Sequence, residues 1–226
     1  MRVNVSGSGP DLVLLHGWGM NAQVWADVAA RLAGQYRVHS VDLPGYGGSD
    51  ACSPYTLDAM VAVLARACPP RAALCGWSMG GQLALRWAMM KPHQVERLVL
   101  IASTPRFTRT SGWASGMAAA VLDAYAQALA RDPRAALQRF ALLQAQGDDN
   151  ARKVARRLRA CVGACDSAGV AALAGGLQIL RDTDLRAGLP GVMQSVLLVH
   201  GDRDAVAPLA AGEFMQRALP RARLAV

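Results

Sequence analysis

The chain has 226 residues, of which 53% are hydrophobic, and its formal net charge is +8. This length suits one sizeable α/β domain with its own core. The charge fits an acidic partner or simply a basic surface, and nucleic acid is a poor fit because no alternation of aromatic and basic residues accompanies it. The amino terminus lacks the apolar stretch of a signal peptide, and no apolar run reaches transmembrane length. We therefore expect a cytoplasmic protein that does not enter a membrane.

The five cysteines are an odd number, and no C-x-x-C motif occurs. Both features argue against a disulfide framework and against a zinc site, and we predict no metal. Cys161 and Cys165 lie one helical turn apart. That spacing more often reflects small buried side chains than a redox pair.

Strand and helix patterns alternate along the first part of the chain. The apolar run from Asp11 to Leu15 predicts a buried strand, and the loop His16-Gly17-Trp18-Gly19 follows it. A glycine-rich turn at 44–49 closes the next strand. We predict strands at 11–15, 36–43, 72–76 and 95–102, and helices at 24–32, 57–67 and 80–90. Such alternation is typical of a mostly parallel, doubly wound sheet.

The pattern changes after residue 108. From 109 to 186 the sequence is rich in alanine and arginine and has helical spacing, broken at Asp132-Pro133, at 147–149 and at Gly175-Gly176. Strand character returns at 195–200, a helix is predicted at 210–219, and a further strand begins at 223. We therefore divide the chain into an α/β core, residues 1–108 and 191–226, and a helical cap, residues 109–190.

The segment Gly76-Trp77-Ser78-Met79-Gly80 fits the pattern G-x-S-x-G. In that pattern a serine sits on a sharp turn between a strand and a helix, and the glycines allow the backbone to fold back on itself. An apolar strand pattern precedes this motif and a helical pattern follows it. We therefore predict that Ser78 is a nucleophile; the alternative is a small residue in a tight turn.

The loop after the first long strand is the second candidate element of the site. In this architecture it supplies one backbone N–H to an oxyanion hole, and the residue after the nucleophile supplies the other. Those donors would be the N–H groups of Trp18 and Met79. We interpret His16 as a residue that organises the loop rather than as the catalytic base. The side chain of Trp18 could equally be a core aromatic.

An acid and a base should complete the constellation. Asp204 lies on the loop after a late strand and would orient a histidine. Asp202 in the same loop is the alternative acid, but we interpret it as a turn residue. His200 is expected to be buried beside this acid. A serine nucleophile needs a base, and none of the four histidines follows Asp204.

Basic residues concentrate in the helical cap. Arg152, Arg156 and Arg159 fall on one helical face by the i, i+4, i+7 rule. One interpretation is a docking surface for an acidic protein. The other is an ordinary solvated helix face.

The order of these motifs resembles the α/β-hydrolase superfamily over essentially the whole chain. Within it, the chain is similar to the family of pimeloyl-[acyl-carrier protein] methyl ester esterases. The more specific similarity lies in the cap, in the segments Arg139 to Gln144 and Gly175 to Arg186. The segments His16 to Met20 and Asp42 to Gly47 match as well, although many relatives share forms of them.

The resemblance implies hydrolysis of the methyl ester of the pimeloyl carrier protein by a Ser-His-Asp mechanism, in biotin biosynthesis, with no metal or organic cofactor. It implies an acyl carrier protein as partner and a monomer. It assigns substrate contacts to Trp18, Ser78, Met79, Phe140, Ala141, Leu142, Leu143 and Gln144. It assigns Arg139, Arg152, Arg156 and Arg159 to the carrier protein, which favours the docking interpretation of the basic face.

One family feature has no counterpart in the sequence. A Gly-His-Ala-Pro-like segment should follow the last strand, and without its histidine turnover should fall by several orders of magnitude. We expect a truncated gene product or an incomplete gene model, because the other motifs are intact. The alternatives are an esterase or thioesterase with another acyl substrate and a non-catalytic fragment that binds the acyl carrier protein.

Overall fold

The computed structural model describes residues 1–146, 149–162 and 167–226. Within these ranges the strands are β1 (Val3–Ser6), β2 (Asp11–Leu15), β3 (Arg37–Val41), β4 (Ala72–Trp77), β5 (Val95–Ile101), β6 (Ser195–Val199) and β7 (Ala222–Ala225). They form one sheet in the order β1-β3-β2-β4-β5-β6-β7. β1 pairs antiparallel with β3, and the other neighbours are parallel. The predicted doubly wound sheet is confirmed.

The described helices are α1 (Ala26–Leu32), α2 (Leu57–Ala67), α3 (Met79–Met90), α4 (Ala119–Arg131), α5 (Pro133–Gln144), α6 (Ala151–Ala160), α7 (Ser167–Asp182) and α8 (Leu209–Ala218). Short 3₁₀ helices cover Ala22–Trp25, Pro92–Gln94 and Arg186–Gly191. The predicted helix at 24–32 therefore begins as a 3₁₀ turn and continues as α1. None of the helices in the described ranges has the length and apolar character that crossing a membrane requires.

The central strands form the core because apolar side chains point to both faces of the sheet. Val13, Leu14 and Leu15 of β2 are fully buried. Val13 and Leu15 pack into the larger hydrophobic cluster on one face, while Leu14 packs with Trp25 and Ala29 on the other. Parallel strands covered on both faces have such continuous apolar runs, which is why the sequence predicted them well.

The sequence analysis missed β1. Three of its four residues are exposed, and it pairs only with β3 at the edge of the sheet. A short, exposed edge strand contributes no buried apolar stripe. It therefore leaves little signal in the sequence.

Helices α4 to α7 lie in the chain between β5 and β6, where the cap was predicted. Asp132 ends α4 and its carboxylate accepts a 3.0 Å hydrogen bond from the N–H of Ala135, so the predicted break at Asp132-Pro133 is the amino terminus of α5. Two hydrogen bonds tie the entrance of this segment to its exit. The N–H of Leu185 donates to the carbonyl of Pro105, and the hydroxyl of Thr108 donates to the carbonyl of Arg181.

The predicted break at Gly175-Gly176 is wrong, because both residues lie inside α7. The glycines instead allow close packing. A β-carbon on Gly175 would collide with the ring of Tyr55, and one on Gly176 would collide with the hydroxyl of Tyr46. Of the predicted break at 147–149, only Asp149 belongs to the described residues. Gly147, Asp148 and Cys165 lie outside them.

Candidate active site

Ser78 occupies the turn between β4 and α3. Its backbone has φ 55° and ψ −118°, a left-handed conformation that is unfavourable for a residue with a β-carbon. Its N–H donates to the carbonyl of Ile101 at 2.9 Å, and its carbonyl accepts from the N–H of Gly81 at 2.9 Å. Strain that the surrounding structure maintains in this way is typical of functional sites.

The two glycines of the motif are required by close contacts at this turn. A β-carbon on Gly76 would collide with the backbone of Gly80. A β-carbon on Gly80 would collide with the carbonyl of Leu15. The strand, the turn and the helix therefore pack at distances that only glycine permits, and the elbow geometry predicted from the sequence is present.

Sequence reasoning missed Ser103. Its hydroxyl donates a 2.9 Å hydrogen bond to the carbonyl of Ser78, and both residues are buried. Ala102, just before it, also has a positive φ of 43°. The loop after β5 is thus shaped to meet the elbow. Nothing in the sequence Ala-Ser-Thr identified this role.

The loop 16–19 lies directly against Ser78. A β-carbon added to Gly17 would be 3.3 Å from the β-carbon of Ser78. The backbone of Trp18 follows immediately, and Met79 is the first residue of α3. That the N–H groups of Trp18 and Met79 form an oxyanion hole stays a prediction.

His16 holds this loop from within. Its Nε2 accepts a 3.0 Å hydrogen bond from the N–H of Leu43, so Nδ1 carries the proton and donates to the carbonyl of Gly17 at 2.8 Å. Burial lowers the pKa of His16 to about 4. With both ring nitrogens engaged, His16 organises the loop, as the sequence analysis proposed.

The other histidines lie elsewhere than at Ser78. The Nε2 of His39 is 2.7 Å from a carboxylate oxygen of Asp11. His93 precedes the amino-terminal end of β5, whereas Ser78 follows the carboxyl-terminal end of the parallel neighbour β4. His200 is buried and its Nδ1 lies 3.3 Å from the carbonyl of Ala207. Its Nε2, which has no hydrogen-bond partner in the described part of the chain, faces Gly212. Burial lowers the pKa of His200 as well.

The loop after β6 holds the candidate acid. One carboxylate oxygen of Asp204 accepts hydrogen bonds from the N–H groups of Val206 at 2.8 Å and Ala207 at 2.9 Å. Asp204 is partly buried, whereas Asp202 is exposed. Both aspartates line a cavity of about 340 Å³ together with Gln144. The role of Asp204 as the orienting acid stays a prediction.

The five cap residues assigned to substrate face four environments, because consecutive residues of α5 point about 100° apart. Phe140 is buried and packs edge to face on Trp18, with ring centroids 4.8 Å apart. Ala141 is buried beside Met20. Leu142 and Leu143 line an apolar cavity of about 730 Å³, while Gln144 lines the smaller cavity.

Two of the predicted docking arginines also line the larger cavity. Its walls come from α4, α5 and α6 and consist mainly of alanine and leucine side chains together with Tyr125, Arg139 and Arg152. Tyr125 packs edge to face on Phe140 with centroids 5.3 Å apart. A series of aromatic rings therefore leads from this cavity to Trp18 and the loop beside Ser78.

Helix α6 carries a strongly basic surface. All five of its charged side chains are basic and exposed, and Ala155 and Leu158 form its buried side. Arg157 pairs with Asp27 of α1 at 3.0 Å. Arg152, Arg156 and Arg159 lie at the predicted i, i+4, i+7 positions of the exposed side.

A sheet of this topology with a strained serine at its elbow defines the class of α/β hydrolases. The family model described as "alpha/beta hydrolase fold" matches residues 10–226. A solved structure of an esterase from Exiguobacterium antarcticum superimposes with a TM-score of 0.85 at 30% identity, covering 99% of this chain and 85% of that one.

Two curated relatives are more specific. The pimeloyl-[acyl-carrier protein] methyl ester esterase of Nitrosomonas europaea is 44% identical over 99% of this chain and 89% of its own length. The protein of the same name from Aromatoleum aromaticum is 46% identical over 96% of this chain and 88% of its own length. The chain belongs to the α/β-hydrolase family and, within it, to the family of these esterases.

Proposed function

We propose that this chain acts on the methyl ester of pimeloyl-[acyl-carrier protein], the molecule for which its relatives are named, with Ser78 as nucleophile. The observation that carries the proposal is the elbow itself. Ser78 is held at a positive φ, and Gly17 lies beside it.

The reaction would proceed by acyl transfer in two steps. The Oγ of Ser78 attacks the ester carbonyl, the C–O bond to the methoxy group breaks, and methanol leaves with the proton from the serine. Water then attacks the acyl-serine ester and releases the free carboxylate of the pimeloyl group. The N–H groups of Trp18 and Met79 would stabilise the negative charge on the carbonyl oxygen in both steps.

Proton transfer in this scheme requires an imidazole at Ser78. The four histidines of the chain lie elsewhere. None of them lies beside Ser78, where the carboxylate of Asp204 could orient it. The basic exposed side of α6 favours a second candidate function, which is binding of the acyl carrier protein without rapid turnover. The two functions share the docking surface and differ in methanol release.

The cap would bind the carrier and its acyl arm. The larger cavity is lined by apolar side chains, which suit an acyl chain, and Arg139 and Arg152 suit an anionic group. We include Arg156 and Arg159 in the same docking surface because they share the exposed side of α6. The division into core and cap, the monomeric state and the cytoplasmic location remain predictions.

Charge reversal tests this docking surface. We expect Arg152→Glu with Arg156→Glu to weaken binding of the pimeloyl methyl ester carrier protein at least tenfold, measured by fluorescence anisotropy. A matched control is Arg66→Glu with Arg217→Glu, which makes the same charge change at exposed sites on α2 and α8. Equal affinities of the two double variants would contradict the docking assignment.

A substrate comparison separates this family's reaction from that of a general esterase or thioesterase. We expect methanol release from the carrier-bound methyl ester to exceed release from a free short-chain methyl ester at the same concentration. Release should disappear in Ser78→Ala. Faster hydrolysis of the free ester would favour an esterase with another acyl substrate.

A further inference from the structure

Trp18 has a side chain enclosed by the cap although its backbone belongs to the core. The indole is 1% exposed. Phe140 of α5 packs on it edge to face at 4.8 Å between centroids, and Tyr125 of α4 does so at 6.5 Å. Edge-to-face aromatic pairs add a directional stabilisation beyond the area that they bury.

A hydrogen bond fixes the indole to a third cap helix. The Nε1–H of Trp18 donates to the carbonyl of Leu173, inside α7, at 2.8 Å. Gly176 makes the approach possible, since a β-carbon there would lie only 2.7 Å from Cδ1 of Trp18. Three helices of the cap therefore contact one side chain of the core.

We infer that the indole of Trp18 is a positioning group: it fastens the loop beside Ser78 to the cap and so holds the oxyanion donors in place. The inference rests on the proposed function, in which the N–H of Trp18 is one such donor. The loop has glycine on both sides of Trp18, which gives it little intrinsic rigidity. The bond to Leu173 and the ring contacts add to the rigidity that the bond from His16 to the carbonyl of Gly17 gives the loop. Catalysis by oxyanion donors depends on their being held in place before charge develops.

Trp18→Phe is the most direct variant, because it keeps an aromatic ring among the cap helices and removes only the Nε1–H donor and part of the ring. Trp113→Phe is its matched control. Trp113 is also buried, and its Nε1–H donates to a backbone carbonyl, that of Arg106, at 2.9 Å. Both variants lose one buried indole hydrogen bond, but only Trp18 adjoins the elbow.

Butylboronic acid, which forms a tetrahedral adduct with a serine hydroxyl, reports on the oxyanion donors. We expect Trp18→Phe to bind it at least tenfold more weakly than the unmodified chain, measured by titration calorimetry with boron NMR to identify the adduct. Trp113→Phe should bind it within twofold of the unmodified chain. Equal affinities of the two variants would overturn the inference.

Amide hydrogen exchange provides a measurement that does not depend on the proposed function. We expect exchange at residues 17–20 to be at least tenfold faster in Trp18→Phe and unchanged in Trp113→Phe. Unchanged exchange in Trp18→Phe would overturn the fastening role. If the unmodified chain bound the boronic acid no more tightly than Ser78→Ala, the nucleophile assignment would fail instead, and the exchange data would still decide whether the indole fastens the loop.

Discussion

The hydroxyl of Ser103 donates a hydrogen bond of 2.9 Å to the backbone carbonyl of Ser78. The carbonyl belongs to the residue whose φ is 55°, so the bond acts directly on the strained turn. The N–H of Ala102 is itself held by the carbonyl of Val199 at 2.8 Å. The residues at the ends of β5 and β6 thus hold the turn at Ser78 through these hydrogen bonds.

Removing this hydroxyl should affect both stability and hydrolysis. We expect Ser103→Ala to lower the free energy of unfolding by about 0.5–1.5 kcal/mol, because one buried hydrogen bond is lost while the carbonyl of Ser78 keeps its bond from the N–H of Gly81. It should also slow Ser78-dependent methanol release, because the elbow is then less firmly held. Urea unfolding and a methanol assay measure the two effects.

Ser49→Ala is a suitable control for this prediction. The hydroxyl of Ser49 is also buried and donates to a backbone carbonyl, that of Asp42, at 2.7 Å. Because this hydroxyl also accepts a 2.8 Å hydrogen bond from the N–H of Arg2, its loss should destabilise the chain at least as much as Ser103→Ala does, with a smaller effect on hydrolysis. If the two variants slowed methanol release equally, the special role of Ser103 would be disproved.

The buried His16 should make stability depend on pH. Burial lowers its pKa from 6.5 to about 4, so between these values the unfolded chain binds a proton that the folded chain excludes. Stability should therefore fall as the pH drops from 6.5 toward 4, by up to about 3 kcal/mol for this group. The measurement is urea unfolding at pH 7 and pH 4.5.

The contribution of His16 can be isolated with His16→Asn, which should reduce the difference in stability between the two pH values. His93→Asn, at an exposed position, should leave it unchanged. Asp11, whose pKa is lowered to about 2 mainly by its hydrogen bond with Arg37, acts only at lower pH. An equal pH dependence in the chain and in His16→Asn would contradict the assignment of a neutral, buried His16.

Gly176→Ala should destabilise the chain although alanine favours helices. The new β-carbon would collide with the hydroxyl of Tyr46 and lie 2.7 Å from the Trp18 ring. Overpacking of this kind costs about 1–3 kcal/mol, which exceeds the helix-propensity gain of roughly 1 kcal/mol. Gly34→Ala, where a β-carbon meets no atom within 4 Å, should be nearly neutral in thermal unfolding.

A second substitution checks the cause of that loss. Adding Tyr46→Phe to Gly176→Ala removes the oxygen with which the new β-carbon collides, and it should restore part of the stability. Tyr46→Phe alone should cost little, because the buried hydroxyl has no hydrogen-bond partner among the described residues. No recovery in the double variant would show that the collision with Tyr46 is not the cause.

The parallel strands and the elbow could be predicted from the sequence because each follows from local patterns. Apolar runs mark strands buried on both faces, and the spacing of Gly76, Ser78 and Gly80 reflects backbone contacts within a single turn. The loop of His16 and Trp18 was placed for the same reason, since it directly follows β2.

Contacts between distant segments could not be predicted in this way. The bond from Ser103 to Ser78 joins residues 25 apart, and that from Trp18 to Leu173 joins residues 155 apart. Gly176 was misjudged because a glycine that breaks a helix and one that admits a neighbouring ring are identical in sequence. The separate environments of Phe140 and Gln144 likewise depend on how α5 packs.

The central claim is that Ser78 is the nucleophile toward a carrier-bound methyl ester, and chemical rescue tests it directly. Methanol release from pimeloyl-[acyl-carrier protein] methyl ester would be followed for the chain and for Ser78→Ala, with increasing imidazole in the buffer. Because the four histidines lie elsewhere than at Ser78, we predict slow release that rises with imidazole in the chain and not in Ser78→Ala. Equal release by both proteins at every imidazole concentration would contradict the account.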